Sequence, residues 1–90
     1  MFYTYVLISE SSGKIYIGQT ADLLKRIDRH NNGGSLYTKN KGPWKLLFSF
    51  EHQTRSEAIL LERKLKAFKN SKKVIDWCER HMGLRGRPDC

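Results

Sequence analysis

Tyr16-Ile17-Gly18 is followed by Arg26 eight residues after the glycine, and by His30 one helical turn beyond that. A tyrosine on an extended run and a cation on the next helix can meet at one point, because a tight strand-to-helix turn folds the helix back over the strand. A phosphodiester is the natural occupant of that point. Arg26 suits it best, since a guanidinium offers paired donors to phosphate and keeps its charge at any working pH. The plain alternative is a solvated helix arginine. His30 titrates near neutrality, so it can relay a proton, contact phosphate, or be an ordinary surface histidine.

The surrounding pattern supplies elements that can hold these groups. Residues 2–8 (FYTYVLI) are rich in β-branched and aromatic types, and residues 14–19 repeat that chemistry after Glu10-Ser11-Ser12-Gly13, which predicts a β-hairpin. Thr20 or Asp22 can cap a helix that runs to about Asn32, with Leu23, Leu24 and Ile27 on one stripe and Arg26 and His30 on the adjoining face. Residues 33–43 hold three glycines and a proline and read as a loop, and residues 44–52 (WKLLFSFEH) read as a third strand. Thr54 and Glu57 match a capping box, opening a helix in which Ala58, Leu61, Leu65 and Phe68 recur at 3, 4, 3 spacing. Ser71 is expected to cap a last helix ending near Met82, ahead of a loose basic tail over residues 83–90. The expected class is α+β (or α/β), with two helices packed on a small three-stranded sheet.

Ninety residues leave room for one modest core, so residues 1–82 are expected to form a single domain. Seventeen Lys and Arg against nine Asp and Glu give a net charge of +8, which attracts polyanions through counterion release. Nucleic acid therefore leads the partners. The same excess can also serve solubility alone. Cys78 and Cys90 offer no CxxC pair and no disulfide framework, and with His81 they fall short of the four clustered ligands of a zinc site. No apolar stretch approaches the roughly 20 residues of a membrane span, and the first residues lack a signal-peptide pattern. A cytoplasmic protein with no membrane partner is expected.

Tyr3-Thr4-Tyr5-Val6-Leu7, Tyr16-Ile17-Gly18-Gln19-Thr20 with Leu23, Arg26 and His30-Asn31, Tyr37-Thr38, and Ser56-Glu57-Ala58 with Glu62 together resemble the GIY-YIG nuclease family, most closely its small single-domain bacterial branch. The resemblance spans about residues 3–70, and its weight lies in the order and spacing of its parts. It implies three antiparallel strands flanked by helices, and metal-dependent cleavage of a phosphodiester. It also implies catalytic roles for Tyr5, Tyr16, Arg26, His30 and Glu62, with one tyrosine as general base.

Each implied role has a physical counterpart. Tyr5 and Tyr16 on paired strands can hold a water between their rings, or can simply pack across the sheet. A phenol with a pKa near 10 is protonated at pH 7, so a base role needs cations nearby: Arg26, Lys45 or a metal ion. Glu62 lies about 80° round its helix from the apolar stripe, where its carboxylate can reach the sheet edge. With substrate oxygens and waters it would complete an Mg²⁺ (or Mn²⁺) site as the one protein ligand; otherwise it pairs with Lys66. Thr38 can bond a phosphate.

Arg63, Lys64, Lys66, Lys69, Lys72 and Lys73 place six cations in eleven residues without a carboxylate among them. Spread over several helix faces, with Lys45 nearby on its strand, they suit gripping a nucleic-acid backbone and do not suit reading bases. DNA is the expected substrate, with RNA open, and structured or single-stranded DNA in repair or recombination is a candidate. With so little chain outside the catalytic module, specificity would come from a protein partner or be loose. Two departures stand out: the first triplet is Tyr3-Thr4-Tyr5 in place of Gly-Ile-Tyr, and only Asn70 is available for an asparagine found after the glutamate in many members. The competing reading is a binding module that keeps the fold and does not cut.

Overall fold

Thr4, Tyr5, Val6 and Leu7 are all buried, four in succession, and a strand can bury consecutive residues only if both faces of its sheet are covered. That strand is β1 (Phe2–Ser9), and it lies at the centre of a three-stranded sheet in the order β2-β1-β3, antiparallel throughout. The computed structural model describes residues 1–32 and 42–82. Along the chain come β1, β2 (Ile15–Thr20), α1 (Leu23–Asn31), β3 (Trp44–His52), α2 (Arg55–Ala67) and α3 (Ser71–Met82).

The sheet divides the apolar residues into two cores. Val6, Ile17 and Phe48 meet Leu65 of α2 and Val74 and Cys78 of α3 on one face. On the other, Tyr5, Leu7 and Trp44 pack with Tyr16, Leu46, and Leu23 and Ile27 of α1. The two helices expected on the sheet are thus α2 and α3, and α1 adds a layer on the opposite side. The unbroken run of buried residues in β1 is the physical reason, since a one-sided sheet would leave Tyr5 and Leu7 in water. Thr4, the polar member of that run, donates its hydroxyl to the Ala58 carbonyl at 2.8 Å and accepts from His52 Nε2 at 3.0 Å, tying β1, β3 and α2 together.

Local chemistry sets the boundaries. The β1–β2 turn closes through Ser9 N–H to the Lys14 carbonyl at 2.8 Å, with Gly13 at φ 77°, a conformation that side chains disfavour. Asp22 caps α1 by accepting from Lys25 N–H at 3.1 Å, which settles the choice between Thr20 and Asp22. At the far end of α1, Asn31 imitates a neighbouring strand: it accepts from Trp44 N–H at 2.6 Å and donates to the Trp44 carbonyl at 3.1 Å. The helix carrying Arg26 and His30 is thereby tied to β3. Thr54 and Glu57 form the expected capping box at the start of α2.

The start of α3 differs from expectation. Asn70 is the cap, accepting from Lys73 N–H at 3.2 Å, and Ser71 is the first helical residue. The cause lies one residue earlier, where Lys69 follows the end of α2 at φ 54°. That left-handed turn reverses the chain within two residues and delivers Asn70 to the capping position. Helices commonly end on glycine in this conformation, and a side chain there costs about 1 kcal/mol. Among the described residues, no helix is long and apolar enough to cross a membrane.

Candidate active site

Strand pairing decides which groups share a face. Tyr5 stands opposite Gly18 and Leu7 opposite Tyr16, so the two tyrosines lie two positions apart on the α1 side of the sheet. Their rings are near-parallel at 29°, with centroids 6.3 Å apart. Gly18 is needed for space. A Cβ built on it would stand 2.5 Å from Tyr5 Oη and 2.7 Å from Cζ, so the Tyr5 ring lies across the glycine backbone. The final glycine of the Tyr-Ile-Gly triplet thus makes room for the first tyrosine, a packing relation that only the strand register reveals.

His30, at 2% exposure, comes from α1 to stand beside both rings. Its Nε2 lies 3.1 Å from Tyr5 Oη, and its ring meets that of Tyr16 edge-on at 4.7 Å. Burial, aided by the charges of Arg26 and Arg29, holds the imidazole below its ordinary value of 6.5, so it is neutral at pH 7. Burial also pushes the Tyr5 phenol up to about 12, with Tyr16 and Glu62 acting in the same direction and Arg26 opposing. Both groups are therefore neutral, and the bond runs from Tyr5 to His30 Nε2 when the imidazole proton sits on Nδ1.

This arrangement bears on three expectations. A base role needs cations near the phenol, and at Tyr5 desolvation outweighs the charge of Arg26. Lys45, expected to contribute to that effect, pairs with Ile8 in β1, while its neighbours Trp44 and Leu46 pair with Ser9 and Leu7. Alternation turns Lys45 to the face opposite the tyrosines, where it is exposed. The burial of His30 likewise removes it from direct phosphate contact and gives it a partner within the protein.

Arg26 and Glu62 both act on the Tyr5 hydroxyl although α1 and α2 lie on opposite faces of the sheet. Glu62 can do so because α2 runs along β2, the edge strand. Tyr5, Tyr16 and His30 are thus in contact, and Arg26 and Glu62 lie within electrostatic reach of the Tyr5 hydroxyl. The carboxylate also accepts from Lys66 Nζ at 2.8 Å, with the lysine 54% exposed, a surface pair worth about 0.2–0.5 kcal/mol. So weak a contact yields readily to a stronger cation. Among the described residues no three His, Cys, Asp or Glu gather as a metal cage. The donors at the cluster are a carboxylate and two phenols, hard oxygens that fit Mg²⁺ or Mn²⁺, with Glu62 as the residue to hold it.

Arg63, Lys64, Lys69, Lys72 and Lys73 are exposed along α2, α3 and their junction. Lys64 rests over the Trp77 ring at 5.2 Å, which turns it to the outer side of those helices. Tyr37, Thr38, Cys90 and the 83–90 tail lie outside the described residues. Cys78 is buried and its thiol is pushed up to about 12, so it is inert as a nucleophile.

Comparison with known proteins gives the family and the fold. Residues 1–74 match the GIY-YIG catalytic domain. A UPF0213 protein of Staphylococcus saprophyticus is 38% identical over 73 residues, covering 80% of this chain and 88% of that protein. One from Staphylococcus aureus is 33% identical over 69 residues, covering 76% and 84%. The solution NMR structure of a UPF0213 protein from Bacillus halodurans is 32% identical with a TM-score of 0.52, covering 98% of this chain and 89% of that one.

Proposed function

The chain belongs to the GIY-YIG nuclease family, and on that premise we propose that it is an endonuclease that hydrolyses DNA phosphodiester bonds with Mg²⁺ or Mn²⁺ held at Glu62. One observation carries this reading: the Tyr5 hydroxyl is fixed by a neutral His30 beside Tyr16 and within the fields of both Arg26 and Glu62. A binding surface alone has no use for a buried phenol paired with a base.

The residues divide the work by their burial. Arg26, half-buried on α1, donates to the scissile phosphate and steadies the charge that builds there. Tyr16, also half-buried, orients the attacking water with its hydroxyl. Tyr16 takes a proton from the water and hands its own to the buried Tyr5, which gives its proton to His30 Nε2. The water's O–H breaks, the new O–P bond forms as the bond from phosphorus to the leaving oxygen breaks, and the proton ends on the imidazole. No free phenolate is needed. A divalent ion on Glu62 would add Lewis-acid stabilisation of the phosphate and leaving oxygen.

Incubation of supercoiled plasmid with Mg²⁺, Mn²⁺ or EDTA, beside Arg26→Ala and Glu62→Ala, tests the proposal. Nicking is expected only with metal, and a loss of at least 100-fold in each variant, the scale of removing one transition-state contact. Tight binding of DNA with no metal-dependent nicking by the unaltered protein would assign it instead to a non-cutting nucleic-acid-binding module.

A further inference from the structure

A groove of about 440 Å³ runs between β2 and the junction of α2 with α3, a volume within the roughly 300–1,000 Å³ of sites for small ligands. Its floor is apolar, from Ile15, Ile17, Leu65 and Val74. Its rim is cationic and polar, from Lys66, Lys69 and Asn70. It lies on the α2 and α3 side of the sheet and meets the active site at the β2 edge, where Tyr16 borders both and Lys66 is the partner of Glu62. None of the catalytic roles above uses it.

Resting on the phosphodiesterase reading, we propose that this groove is a subsite for the nucleotide next to the scissile link. Its base lies on the apolar floor, and its flanking phosphate meets the ammonium groups of Lys66 and Lys69. Charge and shape support this occupant over a purely apolar one, since two cations at the rim of an apolar slot match a flat base with an anion at its edge. Lys69 adds a separate argument. It occupies a left-handed position, φ 54°, where a glycine would be easier to accommodate, so its side chain is kept against the backbone's preference and at the groove's rim. Asn70 caps α3 with its Oδ1, which leaves its Nδ2 as a donor for the edge of a base.

Such a subsite requires the base to leave a duplex stack. The chain would therefore favour nucleotides that unstack easily, and it would sense the presence of a base at one fixed distance from the cut.

The test is equilibrium binding, in EDTA, of a fluorescein-labelled DNA 12-mer and a set of 12-mers each carrying one abasic position, by anisotropy. One abasic position is expected to weaken binding about tenfold, the scale of one lost base contact. That penalty should vanish in Ser71→Trp, which fills the groove. Lys69→Gly should weaken the intact 12-mer several-fold while raising the melting temperature, because the glycine suits the turn. An abasic scan flat within twofold, an abasic penalty undiminished in Ser71→Trp, or a Lys69→Gly variant that binds as the parent does would each overturn the subsite. If the parent still cuts with Mn²⁺, the nuclease reading survives that failure; if it neither binds nor cuts, both fall.

Discussion

Replacing Gly18 with alanine adds one methyl group at the point where the Tyr5 ring crosses β2. The new Cβ would stand 2.5 Å from Oη and 2.7 Å from Cζ, about 1 Å inside ordinary contact. Neither side can yield cheaply. Tyr5 is fully buried in the core on the α1 side, and Gly18 sits in the β1–β2 ladder directly opposite it. Forcing the ring away by 1 Å would stretch the 3.1 Å bond to His30 Nε2 beyond hydrogen-bond range. Overpacking costs about 1–3 kcal/mol and a buried hydroxyl without its partner about 1–3 more, so Gly18→Ala should destabilise by roughly 2–6 kcal/mol. Urea unfolding followed by tryptophan fluorescence would read this as a lower midpoint with an unchanged slope. Metal-dependent nicking by the fraction still folded should fall about 100-fold, as expected when a reacting group is displaced by 1 Å. A variant within 0.5 kcal/mol of the parent that still nicks at its rate would refute the claim that this glycine exists to seat the phenol.

The pH profile separates the relay from a phenolate mechanism. His30 must be neutral to take the proton, and its pKa lies below 6.5, so nicking should fall only as pH drops through that region and stay level from pH 7 to 9; a rate that rises tenfold per pH unit over that range would point to phenolate and sink the relay. Alkaline stability follows from Tyr5, whose pKa is raised from 10 to about 12: above pH 10 the unfolded chain loses this proton first, so up to about 2–3 kcal/mol of stability should disappear by pH 12. Tyr5→Phe should flatten that part of the stability curve, and an unchanged slope would place the titrating phenol elsewhere.

The sequence exposes what local chemistry decides. The hairpin follows from two β-branched runs around a glycine turn, and α2 from the Thr54 and Glu57 pair, because each signal lies within a few residues of its effect. Glu62 is named by the family resemblance together with its angle on the helix, and its charge lies within electrostatic reach of Tyr5. What stays hidden depends on register or on a distant partner. The bond between Tyr5 and His30 joins residues 25 apart, and the face of Lys45 follows from its pairing with Ile8. Asn70 takes the cap from Ser71 because of the backbone angle at Lys69, a residue type that gives no sign of a left-handed turn. The second core was legible in principle. Four buried residues in a row with no polar alternation already require a cover on both faces, and α1 was the helix left to provide it.

That second core has a consequence for how the site works. Tyr5 is at once the centre of an apolar cluster with Leu7 and Trp44 and the donor to His30, so the same burial that stabilises the fold denies it the phenolate form. A group that cannot hold a negative charge can still pass a proton, provided its acceptor is neutral, and burial beside Arg26 and Arg29 keeps His30 neutral. The two opposite pKa shifts thus have one cause and serve one end. In the proposed reaction the half-buried Tyr16, Arg26 and Glu62 would meet substrate and water, while the buried pair would receive the proton. Catalysis should then be sensitive to core packing on the α1 side, at Leu7, Trp44 and Ile27, and much less so to equal-sized changes around Val74 and Cys78 on the other face.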